Sequence, residues 1–444
     1  MNRQLRSGLR SLLRQRRRAG LLIAAGALLS LELLGRLGAG LTDGELVEPP
    51  DFPDDPGVVV VEAAGPGQRH LTELAAEAMH QRTWAASADA DTFRVVALGD
   101  STVYGPFPET LAAGLRPPPG APEQRFEVLN FGMVGAISLN VRLLVDVALA
   151  QEPDLILVYV GHNETLGLRE GPINRQPLWL RAATSALIHS GIGWLVRLPL
   201  ALLEDGEEDR EEHFEDACED GACGPLTDAE WAEVSAIYTR NLRETCEEAG
   251  DAGVPVLMIM PVSSMYDDVD LQVAEMLVEP VVGQIRAGLQ QLASGDVEGA
   301  ESTAAALEAR LGAIAELDVL RGAIALARGD VDAGRSLLRA ARRAERVPDR
   351  AHDRHAEALR EVAEGCGARF LGAEAFEADP RAWTLEDPLF VDQVHPSFAG
   401  NLKLAELVVE ALEGALPAGS TYDAAAVDPE GLQPTWKGGW RPRQ

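Results

Sequence analysis

Short, nearly continuous apolar runs alternate with longer stretches of helical periodicity along most of this chain of 444 residues. Phe93–Leu98, Phe126–Asn130, Leu155–Val160 and Val254–Met260 read as strands, with Arg369–Leu371 as a weaker fifth. Strands that are apolar at nearly every position suit a parallel sheet covered on both faces. Helical patterns lie among them at roughly 138–150, 227–249 and 350–364, and a last one at 398–414. That alternation predicts an α/β doubly wound sheet.

Two stretches break the alternation. The first begins with residues 177–203, which are markedly apolar and contain Trp179 and Trp194. They read as a helix packed on the core or as an amphipathic lid or membrane-surface helix over a site. Eleven acids among the seventeen residues 204–220 follow, and such a run is expected as a solvated loop. The second break, residues 272–345, is too long for one crossover. In it Leu292-Ala-Ser-Gly-Asp-Val-Glu-Gly-Ala and Leu326-Ala-Arg-Gly-Asp-Val-Asp-Ala-Gly match at an offset of 34 residues. That period, with a Gly-Asp turn between helices, resembles a degenerate pair of tetratricopeptide repeats; a plain helical hairpin is the alternative. Two units cannot bury a solenoid core alone, so they are expected to pack on the main domain.

Charge changes the picture at the N-terminus. The chain carries 39 Lys+Arg against 70 Asp+Glu, a net charge of −31, which disfavours an extended nucleic-acid contact. Yet residues 1–18 hold seven Arg and no acid, so the remaining residues sum to −31 − 7 = −38. An apolar run from Ala19 to Leu37, interrupted by Glu32 and Arg36, comes directly after. Arginines followed by an apolar run orient a segment with its positive end in the cytoplasm. Residues 1–18 are therefore expected as a cytoplasmic tail and 19–37 as an uncleaved signal anchor, with a cleaved signal peptide as the alternative. Residues 38–90 read as a spacer. The remaining boundaries expected are 91–271 and 346–416 for the two parts of the sheet domain, 272–345 for the insert and 417–444 for a tail.

Four cysteines fit an oxidising compartment. Cys218 and Cys223 are spaced to close a small loop disulfide, while Cys246 and Cys366 stand apart from them. A zinc site would want a second pair at matching spacing, so no metal is expected.

The candidate chemistry sits at strand ends. The first strand runs into Gly99-Asp100-Ser101, with Ser101 opening a helix at the edge where open α/β sheets bind ligands. The second runs into Asn130-Phe-Gly132-Met-Val-Gly135, where a glycine lets a backbone N–H approach a ligand. The third ends in Gly161-His162-Asn163-Glu164, bringing a side-chain amide to the same edge. Close to the C-terminus, Asp392-Gln-Val-His395-Pro396 precedes the last helix. An Asp three residues before a His is spaced to accept from Nδ1–H and leave Nε2 as a base. Position 103 is Val, so the Gly-x-Ser-x-Gly elbow of the usual α/β-hydrolase is missing.

In this order on successive strands, Gly-Asp-Ser, the Gly loop, Gly-x-Asn and Asp-x-x-His-Pro resemble the four blocks of the SGNH/GDSL hydrolase family. The resemblance covers roughly residues 92–168 and 366–414. It implies a flavodoxin-like three-layer fold and hydrolysis of esters, often acyl groups on lipids or sugars, without a cofactor. It makes Ser101 the nucleophile, His395 the general base and Asp392 the residue that orients it. The oxyanion hole becomes the N–H of Ser101, the N–H of Gly135 (in preference to Gly132) and the amide of Asn163. One departure stands, since Glu164 occupies a position usually held by Asp, which puts the neighbouring geometry in question. His162 is expected as a space-filler.

The reading that follows is a membrane-anchored, extracytoplasmic serine esterase acting on an acylated lipid or carbohydrate. A cell-envelope polysaccharide O-acyltransferase or deacetylase with the same triad is the alternative. A scaffold that binds a protein partner through the insert is a third.

Overall fold

The apolar runs become the strands of one parallel sheet. A computed structural model describes residues 61–65, 68–71, 83–85, 88–165, 226–265, 279–312, 314–344, 350–384 and 389–429. The proposed anchor, the apolar segment 177–203, the acidic run 204–220 and the pair Cys218/Cys223 lie outside these residues. No helix among the described residues is long and apolar enough to cross a membrane.

In chain order, β1 (Val61–Gly65), β2 (Gln68–Leu71) and β3 (Thr83–Ala85) form an antiparallel three-stranded sheet. Next come β4 (Thr92–Gly99), α1 (Ser101–Tyr104), α2 (Phe107–Gly114), β5 (Leu115–Arg116), β6 (Arg125–Gly132), α3 (Ser138–Leu149) and β7 (Leu155–Tyr159). Helix α4 (Asp228–Asp251) leads to β8 (Val256–Ile259). Four helices follow, α5 (Glu279–Ala293), α6 (Val297–Leu311), α7 (Ala315–Ala327) and α8 (Val331–Ala344). The described chain closes with α9 (Asp353–Cys366), β9 (Arg369–Leu371), α10 (Ala373–Glu377), α11 (Phe398–Ala411) and β10 (Thr421–Tyr422).

Five strands make the main sheet in the order β6-β4-β7-β8-β9, every neighbour parallel. Counted along the chain this is 2-1-3-4-5, the flavodoxin-like doubly wound order. Side chains alternate between two cores, as a period of two requires. Val95, Ala97, Leu155 and Leu157 join Phe107 and Leu111 of α2 and Leu404 and Val408 of α11 on one face. On the other, Val96, Leu98, Ile156 and Val158 pack with Leu144 of α3, Tyr238 and Leu242 of α4, and Leu359 and Val362 of α9. Three layers result, and the switch in strand order falls at the C-terminal end of β4.

The helical insert repeats at the predicted offset down to its backbone bonds. Gly295 and Gly329 both sit at φ +84° in the turn after α5 and α7, a conformation glycine adopts without steric cost. Asp296 N–H donates to Gln291 O at 2.8 Å, and Asp330 N–H to Ala325 O at 2.9 Å. Asp296 then caps α6 through Gly299 N–H, and Asp330 accepts from Ala333 N–H ahead of α8. Helix α8 fastens the insert to the sheet domain with arginines. Arg339 and Arg342 pair with the buried Glu377 at 2.9 and 3.1 Å, and Arg342 and Arg343 with Asp353 at 2.9 and 2.7 Å. Arg335 and Arg339 also stack over Trp383.

Two features depart from the sequence reading, and a third goes beyond it. The segment read as a spacer contains the antiparallel β1–β3 sheet. The segment read as a tail returns to the domain: β10 pairs with β5, and the Tyr422 ring fills the space that a side chain at Gly114 would occupy. Cys246 of α4 and Cys366 of α9 form a disulfide between two helices packed on the same sheet face. A separation of 120 residues hides that pairing from any spacing rule.

Candidate active site

Gly99 and Gly132 explain why the site has room to form. A Cβ on Gly99 would stand 2.1 Å from the Tyr159 carbonyl oxygen, and one on Gly132 would stand 2.0 Å from Tyr104 N. Only glycine lets β4, β6 and β7 end this close together around the turn into α1. Asp100 caps that turn. Its fully buried carboxylate accepts from Thr102 N–H at 3.0 Å and Thr102 Oγ1–H at 2.6 Å. Ser101 is thereby presented, partly exposed, at the first position of α1.

His395 reaches Ser101 from a loop 294 residues away, its Nε2 lying 2.9 Å from Ser101 Oγ. Its Nδ1 lies 2.7 Å from Asp392 Oδ2. The other carboxylate oxygen accepts the backbone N–H groups of Val394 and His395, at 2.9 and 2.7 Å. Burial alone would raise the Asp392 pKa. The hydrogen bond and charge of His395, with the two backbone donors, outweigh it and hold the carboxyl below its ordinary range. The loop is closed at its base by a Phe390–Pro396 bridge and tied to the β8 edge by Ser264 N–H donating to Gln393 O at 2.9 Å. Ser397 caps α11 immediately beyond. An anionic acceptor on Nδ1 fixes the tautomer in which Nε2 takes the serine proton.

Residues 133–137 form the second strand's turn. Gly135 stands exposed at φ +73° with open space where a side chain would be. Gly132 N–H donates to Asn130 Oδ1 at 3.0 Å and is committed to its own strand end. Asn163 Nδ2 donates to Ala136 O at 3.1 Å, which brings the amide against this turn.

Glu164 answers the question raised by its position. It is fully buried and reaches α3, where it accepts the Ser138 N–H and, at 3.0 Å, the Ser138 hydroxyl. Asn241 of α4 donates to Ser138 Oγ at 3.1 Å. Burial raises the Glu164 carboxyl to about 8, against the pull of both Ser138 bonds.

His162 fills space and also forms a bond. Its Nδ1 accepts from Ala351 N–H at 3.1 Å, tying the strand edge to the chain that returns from the insert. Burial lowers its pKa to about 4. Sequence reading missed Ser138, Asn241, Ser264 and Ala351 as members of this neighbourhood. The first two lie at helical positions otherwise indistinguishable from ordinary polar surface, and a contact made by Ala351 through its backbone leaves no side-chain signal. No group of three or more potential metal-ligating side chains converges among the described residues.

No family model matches the chain, and no curated protein does. Among solved structures, the chain is similar to Axe2, an acetylxylan esterase from Geobacillus stearothermophilus, at 12% identity over 72% of this chain and 93% of that one, with a TM-score of 0.33. It is also similar to a GDSL-like lipase from Bacteroides thetaiotaomicron, at 11% identity over 75% and 93% of the two chains, with a TM-score of 0.33. A third is LAE5, an α/β hydrolase from the metagenome of Lake Arreo, at 13% identity over 73% and 96%, TM-score 0.30. At identities and TM-scores this low, the likeness assigns no residue and no activity to this chain.

Proposed function

We propose that this chain is a serine esterase of SGNH type that hydrolyses an acyl ester through a covalent acyl-enzyme. One observation carries the reading: Ser101, His395 and Asp392 form a continuous hydrogen-bonded relay with links of 2.9 and 2.7 Å, at the C-terminal edge of a doubly wound sheet.

Ser101 Oγ attacks the ester carbonyl carbon while its proton passes to His395 Nε2, and the imidazolium is held by Asp392. The negative charge on the carbonyl oxygen is received by the N–H groups of Ser101 and Gly135 and by the Asn163 amide. Two facts favour Gly135 over Gly132 in that role: its exposure at positive φ, and the commitment of the Gly132 N–H to Asn130. Of the two Asn163 amide hydrogens, one bonds Ala136 O and the other is the one we assign to the oxyanion. The tetrahedral adduct then collapses, the alcohol departs with the proton from His395, and Ser101 carries the acyl group. Water, activated by the same histidine, repeats the sequence and frees the acid.

An extracytoplasmic location is supported by the arginine-rich start and apolar run of residues 1–37, and by the Cys246–Cys366 disulfide, since disulfides persist in oxidising compartments. Anchoring through residues 19–37 rests on the sequence. A tetratricopeptide-like character of the insert is favoured by the matched Gly-Asp turns, and with it a protein partner there.

The test is a panel of p-nitrophenyl acyl esters, from acetyl to long chain, applied to the full chain beside Ser101→Ala. Turnover present in the wild type and lost in the variant is expected. Full turnover in Ser101→Ala would refute the assignment. A folded wild type without turnover would point instead to acyl transfer onto an acceptor.

A further inference from the structure

We infer that Glu164 is a positioning residue for the oxyanion donors, holding the Gly135 turn through Ser138 while its neighbour Asn163 holds the same turn through Ala136. This rests on the hydrolase reading given above. The geometry is that of a two-point clamp. Three consecutive residues at the end of β7 reach across the neighbouring strand edges. His162 N–H approaches Asp100 Oδ2 at 3.5 Å, Asn163 bonds Ala136, and Glu164 bonds both polar groups of Ser138.

The turn needs such a clamp. On its β6 side it is fixed where Met133 N–H donates to Gly99 O at 3.0 Å. Val134 and Gly135 then project into solvent, Val134 with 48% of its surface exposed and Gly135 with no neighbour where a side chain would stand. On the far side the backbone is caught again at Ala136 and Ser138, by Asn163 and Glu164. The direction of the Gly135 N–H is thus set by where residues 136–138 are held.

The chemistry of the clamp is directional as well. Asn241 donates to Ser138 Oγ, which aims the serine hydroxyl proton at Glu164. Glu164 receives in addition the backbone N–H of the first residue of α3, one of the donors that a helix N-terminus leaves without an intrahelical partner. The side-chain polar atoms of Glu164, Ser138 and Asn241 all have partners, and a satisfied network of this kind specifies one arrangement. An aspartate, one methylene shorter, would have to move the β7 edge or α3 to make both bonds.

The experiment uses the full chain with Glu164→Gln, Glu164→Asp and Glu164→Ala, each normalised to the Ser101 that a fluorophosphonate titrates. Glu164→Ala is expected to lower kcat by up to about 10²-fold, the scale of a small misplacement outside the reacting atoms, with KM within twofold. Glu164→Gln retains an acceptor for the Ser138 N–H and is expected to recover part of that loss. Combined with Asn163→Ala, either variant should cost less than the product of the single effects, because both act on the same donors. Backbone hydrogen exchange over residues 133–138 should quicken in the variants while the sheet stays protected. Unchanged kcat per titrated Ser101, strict multiplicativity with Asn163→Ala, or unchanged exchange in that segment would overturn the clamp. If Glu164→Ala does not fold, the isosteric Gln variant carries the comparison. A wild type with no Ser101-dependent turnover defeats the hydrolase reading instead, and the exchange measurement then decides the clamp alone.

Discussion

At the scale of single residues, the proposed mechanism depends on hydrogen-bond donors that act only when charge develops. Asn163→Ala removes one of the donors proposed for the oxyanion and is expected to lower kcat by about 10²–10³ with the fold intact, checked by steady-state kinetics beside a thermal melt. The buried histidines make a second prediction. Burial lowers His162 to about 4 and His355 to about 3, from 6.5 in an open chain. Between pH 6.5 and 4 the unfolded chain therefore binds protons that the folded one does not. Their contribution to stability is complete above 6.5 and is lost as the pH falls. Imidazole NMR signals of both residues should stay fixed from pH 7.5 to 5 while the melting temperature declines, and titration of either ring near 6.5 would contradict this. Legibility at this scale follows from chain locality. Asp392 and His395 lie three residues apart and Ser101 opens a strand-end turn, so the sequence displays them. Ser138, Glu164 and Asn241 meet from three elements, and nothing in their separate contexts announces that they touch.

At the scale of elements, the strands were readable because burial on both faces writes an unbroken apolar run. Val95 to Leu98 are at most 1% exposed, and the observed strand β4 extends the predicted one by a residue at each end. The insert declared itself through its 34-residue echo. Its attachment did not, because the arginines of α8 look like ordinary helix surface until Glu377, Asp353 and Trp383 are brought beneath them. Glu377 and Arg342 expose only 8% and 12% of their side chains, so the pair is shielded from water. Removing Glu377 takes the ion-pair partner from Arg339 and leaves the shielded Arg342 with Asp353 alone. Glu377→Ala is expected to cost about 3 kcal/mol, read from denaturant unfolding, and to expose residues 279–344 to protease first. A loss below about 0.5 kcal/mol, the scale of an exposed ion pair, would mean that the arginines decorate the helix without holding it. The short strands β1–β3 and β10 escaped notice for a different reason: strands of two to five residues carry too few positions for alternation to register.

At the scale of the whole molecule, the Cys246–Cys366 bond joins two helices that flank β8 along the chain, closing a loop of 120 residues that contains the entire insert. In the chain-entropy account, a loop of that length is worth up to about 4–5 kcal/mol through its restriction of the unfolded state. Reduction, or the Cys246→Ser/Cys366→Ser pair, is expected to lower the melting temperature while leaving the secondary-structure spectrum in place; an unchanged melt would show that the bond contributes nothing. The same long-range connectivity governs when the site can exist at all. His395 is made 294 residues after Ser101, so the proposed nucleophile waits through that span of translation without its base. A nascent chain that stalls within the insert, or is trimmed before the last helix, carries an inert serine. On the proposed reading no esterase activity arises until the chain beyond the insert has been made, and the appearance of activity is a clock for the completion of the fold.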